Sequence, residues 1–558
     1  MSTEANNKQI PSIRTTQFED DGNDIFKDSV NLFRGDVNLS LDLVSLKGRN
    51  GLDFKVTASY GSNVKNNIQI SNEEKPTGIL GLGWTLPFQR IEVETSGNAT
   101  PNDNTYFIYN DTIPTELIRS NKIWERASLD TSLIKELETN SITKKFQQAF
   151  HKTGLPLSTT AKVSKLAAEK WRISDAKKQR TYQARKENNT LVITAAGLAF
   201  ECFQYDFSQM IYYPEFESWE VIKDDGTIYM YGGQFDADEH RNVLKYNVRW
   251  SNWKGSSNVV DSDNGQKLQS QFVSGWNLAT VENIFGDQIQ FYYDIVMQKV
   301  GETGLEFTKA SYISKITDMF SREVLFQYKE KAYVINDPAG AREYMAPHWN
   351  DPYGAVPTKD PSPYQDQFET KYLDAVVVQN SEAQVLYTQQ FTYDETSNFS
   401  DYDKSSNLYG NTIKRTLTGI QKIYGNGSAK PGLLLAYWPA GSINAGAIKS
   451  AITPEGAEIS YQYTQQELSR CDRQITIENP WPKVGTPKVW YGGDFVFNAW
   501  RNGTTEKLKV ALYTWVGRWQ SWEPAESIFS AKADIDSLNA VTTDNFVCFH
   551  YSSAQNST

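Results

Sequence analysis

Four histidines, His151, His240, His348 and His550, are all that this 558-residue chain offers for proton transfer near neutral pH. His240 closes the phrase DADEH, whose Asp236, Asp238 and Glu239 carry the hard oxygen ligands that suit a divalent cation. Asp261, Asp263 and Asn264 in DSDNG do the same, but lack the downstream bidentate acid that completes a calcium loop. Both read as solvated acidic turns, so neither metal nor cofactor is expected. An enzyme built around His348 and Asp351 would sit in a proline-broken stretch with no identifiable acid-base partner. No nucleophile elbow, paired-histidine zinc motif or phosphate-binding Gly-Lys-Ser/Thr loop occurs, and no catalytic residue is assigned. Cys202, Cys471 and Cys548 are odd in number and far apart, which reads as buried thiols rather than a disulfide framework.

The remaining chemistry is aromatic. Trp500, Trp515, Trp519 and Trp522 crowd together with Arg501 and Arg518, and such side chains make a partner surface if exposed, or an inter-blade core if buried. A stand-alone adhesin or carbohydrate-binding protein using these rings is the alternative reading of the whole chain. Aromatics reach 13% while Met numbers only 6, a balance that favours β surfaces over helical bundles. The net charge of -11 excludes general affinity for nucleic acid or anionic lipid, both of which need a basic field. The N-terminus has no basic region leading into an apolar core, so a soluble protein released by lysis or a dedicated exporter is expected.

The elements that must hold these residues announce themselves by repetition. QIQFYYD (288–294) puts Ile289, Phe291 and Tyr293 on one face, and EVLFQY (323–328) does so with Val324, Phe326 and Tyr328. QFTYD (390–394, with Tyr393), LLLAY (433–437) and ISYQY (459–463, with Tyr463) continue the series, each after an apolar run near Val376, Ile420 or Ile452. Stacked hairpins of this kind bury a face that one hairpin cannot, and they predict a mainly β fold, an extended sheet forming part of a shell.

Residues 1–27 read as a flexible arm and 28–484 as the β domain. Strands over Val37–Leu43 and Leu52–Tyr60 alternate cleanly. Gly81, Gly83 and Trp84 in GILGLGWTL read as a tight backbone crossing, and Trp219 and Trp276 as core beside repeated turns. Asp225 and Gly226 predict a tight primed hairpin turn. Leu133, Leu137, Ile142, Phe146, Ala149 and Phe150 predict a helical insertion over about 128–170, followed by a basic run from Lys144 to Lys186 that is a docking patch or a solvated face. Proline-rich 331–372 reads as a capping or binding loop. From 485, VWYGGDFVFNAW and DNFVCFHYS repeat a strand phrase in the manner of a propeller blade, and the second copy breaks off, which predicts a truncated sequence or the front part of a longer polypeptide.

LGLGWTLPFQRIEV (80–93), YQARKENNTLVI (182–193) and SWEVIKDDGTIYMYGG (218–233) come in the order of three phrases of the virulence-plasmid B (SpvB-type) domain, and the tyrosine phrases are similar to the YD repeats of Rhs proteins. The resemblance covers roughly residues 30–470. It implies the opening domain of a toxin-complex B component, part of a hollow β shell that encloses a toxic C-terminal fragment with a C-type Rhs partner and docks on an A-type pore through a propeller. The chain is too short to close such a shell, and the family's autoproteolytic aspartates and ADP-ribosyltransferase module do not occur in it. The scaffold, without the chemistry, is what the resemblance implies.

Overall fold

A computed structural model describes residues 26–30, 37–62, 77–95, 104–110, 114–139, 141–203, 206–235, 241–250, 269–299, 304–331, 367–397, 414–439, 441–442, 444–463, 495–502, 507–516 and 521–524. The fold is mainly β, and the chain divides into two units, residues 1–253 with 258–462 and residues 254–257 with 463–558.

The first unit opens with a four-stranded sheet, β1 (Phe26–Val30), β2 (Val37–Leu46), β3 (Phe54–Gly61) and β4 (Trp84–Thr85). The alternation of Val37, Leu39, Leu41 and Leu43, and of Phe54, Val56, Ala58 and Tyr60, buries one face of β2 and β3.

Strands β5 (Arg90–Thr95), β6 (Asn104–Tyr109) and β7 (Pro114–Ser120) follow as a meander. An insertion then holds β8 (Glu125–Asp130), β9 (Lys162–Ala167), β10 (Lys170–Asp175), β11 (Arg180–Glu187) and β12 (Thr190–Ala195) in one five-stranded sheet. The chain returns through β13 (Leu198–Cys202), β14 (Gln209–Tyr213), β15 (Ser218–Ile222), β16 (Ile228–Gly232), β17 (Leu244–Trp250) and β18 (Gln269–Glu282). Because β13 pairs with β7 and β18 pairs with both β16 and β5, the strands β5, β6, β7, β13, β14, β15, β16 and β18 close a ring. A ring of eight has an interior just wide enough for side chains. Tyr106, Phe200, Tyr212, Trp219 and Trp276 fill it, with ring centroids 4.8–5.9 Å apart.

The last three residues of β18 also pair with β19 (Gln288–Lys299), and a nine-strand meander runs on through β20 (Glu306–Thr317), β21 (Glu323–Glu330), β22 (Lys371–Gln379), β23 (Val385–Asp394), β24 (Thr416–Tyr424), β25 (Leu433–Tyr437), β26 (Ile448–Ile452) and β27 (Glu458–Ser460).

One turn recurs along this sheet. In 223–227, 283–287, 318–322, 380–384, 424–428 and 453–457, the first N–H donates to the fifth carbonyl and the fourth N–H to the first carbonyl. The fourth residue, Gly226, Gly286, Ser321, Ala383, Gly427 or Gly456, takes a positive φ. This corrects the primed turn expected at Asp225 and Gly226. Gly226 alone is left-handed, as in a type I turn closed by a one-residue bulge, and Asp225 instead accepts the Thr227 N–H at 2.8 Å.

The insertion corrects a second expectation. Among the described residues, α-helix occupies Ile134–Glu138 and Lys144–Lys152, with a 3-10 turn at Thr131–Leu133, while 162–167 and 170–175 are strands. Thr143 caps the second helix by accepting the Phe146 N–H, and Gly154 ends it at φ +78° before Pro156. Beyond that stop the side chains alternate, so Lys162–Ala167 pairs with Lys170–Ser174. The helical faces of Leu133, Leu137, Phe146 and Phe150 pack on Trp171, Ile173, Tyr182 and Ile193 of the sheet. Part of the basic run is paired: Lys165, Lys186 and Arg172 with Glu138, Glu169 and Glu215, Lys178 with Glu282, and Arg180 buried on Glu220, while Lys144, Lys145, Lys152, Lys162, Lys170 and Lys177 are exposed.

The second unit's described strands, β28 (Phe495–Asn502), β29 (Lys507–Val516) and β30 (Ser521–Pro524), form an antiparallel meander.

Two glycines test this account. Gly81 has φ +87° and a Cβ there would lie 2.7 Å from the Arg415 carbonyl oxygen, whereas Gly427 has φ +80° with nothing within 4 Å. Gly81→Ala is expected to cost about 2–4 kcal/mol, conformational strain plus overpacking, and Gly427→Ala about 1–2 kcal/mol from strain alone. Chemical denaturation of the two variants checks the difference.

Candidate functional site

The residues that the sequence repeats are brought into one line across the meander. Each of Tyr293, Tyr328, Tyr393 and Tyr437 stands immediately after a register shift in its strand, where two residues of the next strand oppose one. Tyr293 faces Ile313, Tyr328 faces Leu373, Tyr393 faces Leu417 and Tyr437 faces Ile448. The phenols then tie these positions together: Tyr328 donates to the Ile313 carbonyl at 2.8 Å, Tyr393 to Leu373 at 2.5 Å and Tyr437 to Leu417 at 2.7 Å. Tyr293 begins the series by donating to the Leu278 carbonyl of β18 at 3.0 Å. Burial raises the pKa of all four phenols, so each is held as a donor. The sequence showed the tyrosines but not the bulges, which have no residue signature here. Tyr463, in the fifth phrase, has its phenol pushed up to about 12 by burial.

The glycine phrase crosses this line. Gly81 and Gly83 take φ of +87° and +77°, which lets the Leu82 N–H reach the Arg415 carbonyl at 2.8 Å. Trp84 then donates its indole N–H to the Tyr437 hydroxyl at 2.9 Å, and the Leu373 N–H donates to the Ile79 carbonyl. Arg415, buried beneath, stacks on Tyr372 at 3.8 Å and pairs with Glu395 at 3.3 Å.

A second constellation joins the insertion to the ring. Glu220 of β15 is 0% exposed and lies 3.1 Å from Arg126 Nη2 and 3.2 Å from Arg180 Nε, both also buried. Tyr213 donates to it at 2.7 Å. Burial alone would raise its pKa, but Arg126 and Arg180 outweigh that and hold the carboxyl below its ordinary value. Trp219 and Trp276 face the other way, into the ring, with their centroids 5.7 Å apart.

A cleft of about 550 Å³ opens where the ring and the meander diverge, lined by Trp84, Arg90, Glu92, Lys245, Lys309 and Tyr312 among others. Burial favours the neutral form of Glu92, yet Lys245 and Arg90, each 2.8 Å away, bring its pKa down to about 2. A carboxylate so held neither gives nor takes a proton near neutrality. Lys309 lies over the Phe368 ring at 4.4 Å. The cleft is thus a polar seam braced by its own ion pairs.

The six turns described above lie on one edge of the sheet, and large apolar side chains are exposed along it: Phe203, Ile284, Phe285 and Phe320. Cys202 is buried, and its thiol is pushed up to about 11, chiefly by burial. In the second unit, Trp500 pairs in register with Lys509 and Trp515 with Trp522. Arg518 and Trp519 lie outside the described residues, as do His240, His348, His550, Cys471, Cys548, the DSDNG phrase and most of the proline-rich segment.

No family model matches the chain, and no curated protein does. Among solved structures, it is similar to a TcdB2–TccC3 chain at 12% identity and a TM-score of 0.36, over 74% of this chain and 17% of that one. It is also similar to the N-terminal domain of the effector protein SpvB from Salmonella typhimurium strain LT2, at 10% identity and 0.30, over 69% of this chain and 99% of that one. A chain of the Photorhabdus luminescens Tc holotoxin pore matches at 11% and 0.37, over 89% of this chain and 21% of that one. The chain thus spans about a fifth or less of the two toxin-complex chains.

Two consequences are measurable. Glu220→Gln leaves two buried guanidinium groups without their shared counter-charge and is expected to cost about 3–5 kcal/mol in chemical denaturation. Tyr393→Phe is expected to cost about 1–2 kcal/mol, from an orphaned carbonyl and a lost bond. A raised phenol pKa contributes stability that is complete below the unfolded value of about 10 and is lost as pH climbs toward the folded value, by about 1.4 kcal/mol per pH unit for each such tyrosine. Denaturation between about pH 9 and 11.5 therefore shows a shallower alkaline slope for Tyr393→Phe than for the wild type.

Proposed function

We propose that this chain is a non-enzymatic wall section of a toxin-complex B or Rhs-like shell, and that it serves to enclose a toxic C-terminal fragment supplied by a C-type partner. The ordered glycine, arginine and WEVIKDDGT phrases support the family, and the repeated tyrosine lock supports the role. The lock carries the reading. Each copy adds two strands and fastens its own bulge to the preceding hairpin, so the sheet can grow by copy number into a stiff curved partition. An enzyme needs an ionisable group free to act, and the 550 Å³ cleft commits Glu92 to two cations.

We assign docking on an A-type pore to the second unit, where Trp500, Trp515, Arg518, Trp519 and Trp522 supply the residue types that dominate binding surfaces. The exposed turn edge of the first unit is available to a neighbouring wall element. Release by lysis or a dedicated exporter is part of the same proposal.

Co-expression with the products of adjacent genes, followed by electron microscopy, tests the role. A hollow particle with this chain in its wall is expected. Solid, independent monomers that neither enclose a partner nor join a pore would defeat the proposal, and glycan-array binding lost in Trp515→Ala would replace it with the adhesin.

A further inference from the structure

We infer that the small cavity beside Arg180 is a binding site for an oxyanion of phosphate size. It measures about 80 Å³ and lies where the β10–β11 turn of the insertion meets β16, β18 and β19, lined by Lys178, Arg180, Arg241, Thr280, Gln288 and Gln290. One water needs about 10–15 Å³ of such space, so a tetrahedral oxyanion fits.

Arg180 is the central observation. It is 1% exposed, its Nε faces Glu220 at 3.2 Å, the Tyr182 phenol lies beside it, and its buried Nη1 and Nη2 make no hydrogen bond of good geometry. A guanidinium presents its donors as a rigid planar fork matched to carboxylate or phosphate oxygens, and leaving two of them unsatisfied in the interior is costly. A water could accept from the fork, but the local charge favours an anion. Among the described residues, Arg126, Arg180, Lys178 and Arg241 stand against Glu220, Glu282 and the buried Asp175 that accepts the Lys178 N–H, four cations to three carboxylates, a surplus of one positive charge in a chain of net charge -11. Glu282 is the acid among the lining residues, and it is turned to Lys178 at 2.8 Å and Gln288 at 2.7 Å. Arg241, on the far wall, donates to Thr280 at 3.0 Å and stacks on Phe235. Exposed Lys177 marks the rim. An anion held here would contact the insertion through Lys178 and Arg180 and the ring through Thr280, clamping one to the other.

The test uses the full chain. Isothermal titration with inorganic phosphate at constant ionic strength is expected to show one saturable site, and phosphate is expected to raise Tm where chloride does not. Arg180→Met removes the fork, but it also strips a partner from Glu220, so Gln290→Glu serves as the independent variant. It sets a carboxylate on the cavity wall, and is expected to weaken phosphate binding about tenfold or more and to raise Tm without phosphate. O-phosphoserine in place of phosphate identifies the source: equal affinity means that a phosphoryl group on a side chain enters past Lys177, and much weaker binding means a free ion. Equal effects of phosphate and chloride on Tm, or unchanged phosphate affinity in Gln290→Glu, would overturn the assignment.

Discussion

A β-bulge sets the terms for the whole meander. An antiparallel ladder with two residues opposite one loses its local pairing, and a buried carbonyl left there must find another donor. Tyr328, Tyr393 and Tyr437 each supply that donor to the strand paired with the preceding tyrosine. The bulge bends the sheet and the hydroxyl fixes the bend. Because Ile313, Leu373 and Leu417 are each both the partner of one tyrosine and the acceptor of the next, a defect at one position is felt by its neighbour. The Gly81–Trp84 crossing closes over the same line, ending on the Tyr437 hydroxyl, so the first sheet is registered to the meander by the same residues that shape it.

Strand β18 decides how this sheet shares its material with the ring. Its Gly275–Asn277 stretch pairs with β5, its Leu278–Glu282 stretch with β16, and its last three residues also with β19. The insertion interrupts the hairpin of β7 and β13, which pair nonetheless. An inserted domain on two chain crossings would swing freely without another tether, and Glu220 with Arg126 and Arg180 provides one. Such a buried triad is weak evidence for added stability but strong for orientation, since each charge has one geometry in which its desolvation is offset.

Much of this was legible in the residues, for identifiable reasons. Period-two alternation marks the buried faces at Val37–Leu43, Leu52–Tyr60 and Ile289–Tyr293, and at Val324 and Phe326 with the facing Val376, because burial on one face is written directly into side-chain type. Leu133, Leu137, Phe146 and Phe150 mark true helix, but a helical reading of 128–170 overruns Gly154 and Pro156, where local stop signals stand and Lys162–Ala167 begins a strand. The ring was not legible, since closure depends on the pairing of β5 with β18 and of β7 with β13, contacts between residues far apart in sequence with no local mark. Arg126, Glu220 and Arg180 escaped for the same reason: a charged residue in a strand looks solvated until another element covers it.

The turn edge of the meander has its own construction. The hairpins joined by five-residue turns all point one way. The turn edge is stiff because the first residue often caps its own turn: Asn283, Asp318 and Asn380 each accept two backbone N–H groups. Exposed Phe285 and Phe320 are therefore presented on rigid supports, at low entropic cost to any surface that covers them. The tyrosines and their acceptors lie within the strands rather than in the turns. The bulges and the tyrosines that fasten them therefore shape the sheet from within its strands, independently of what joins the hairpins.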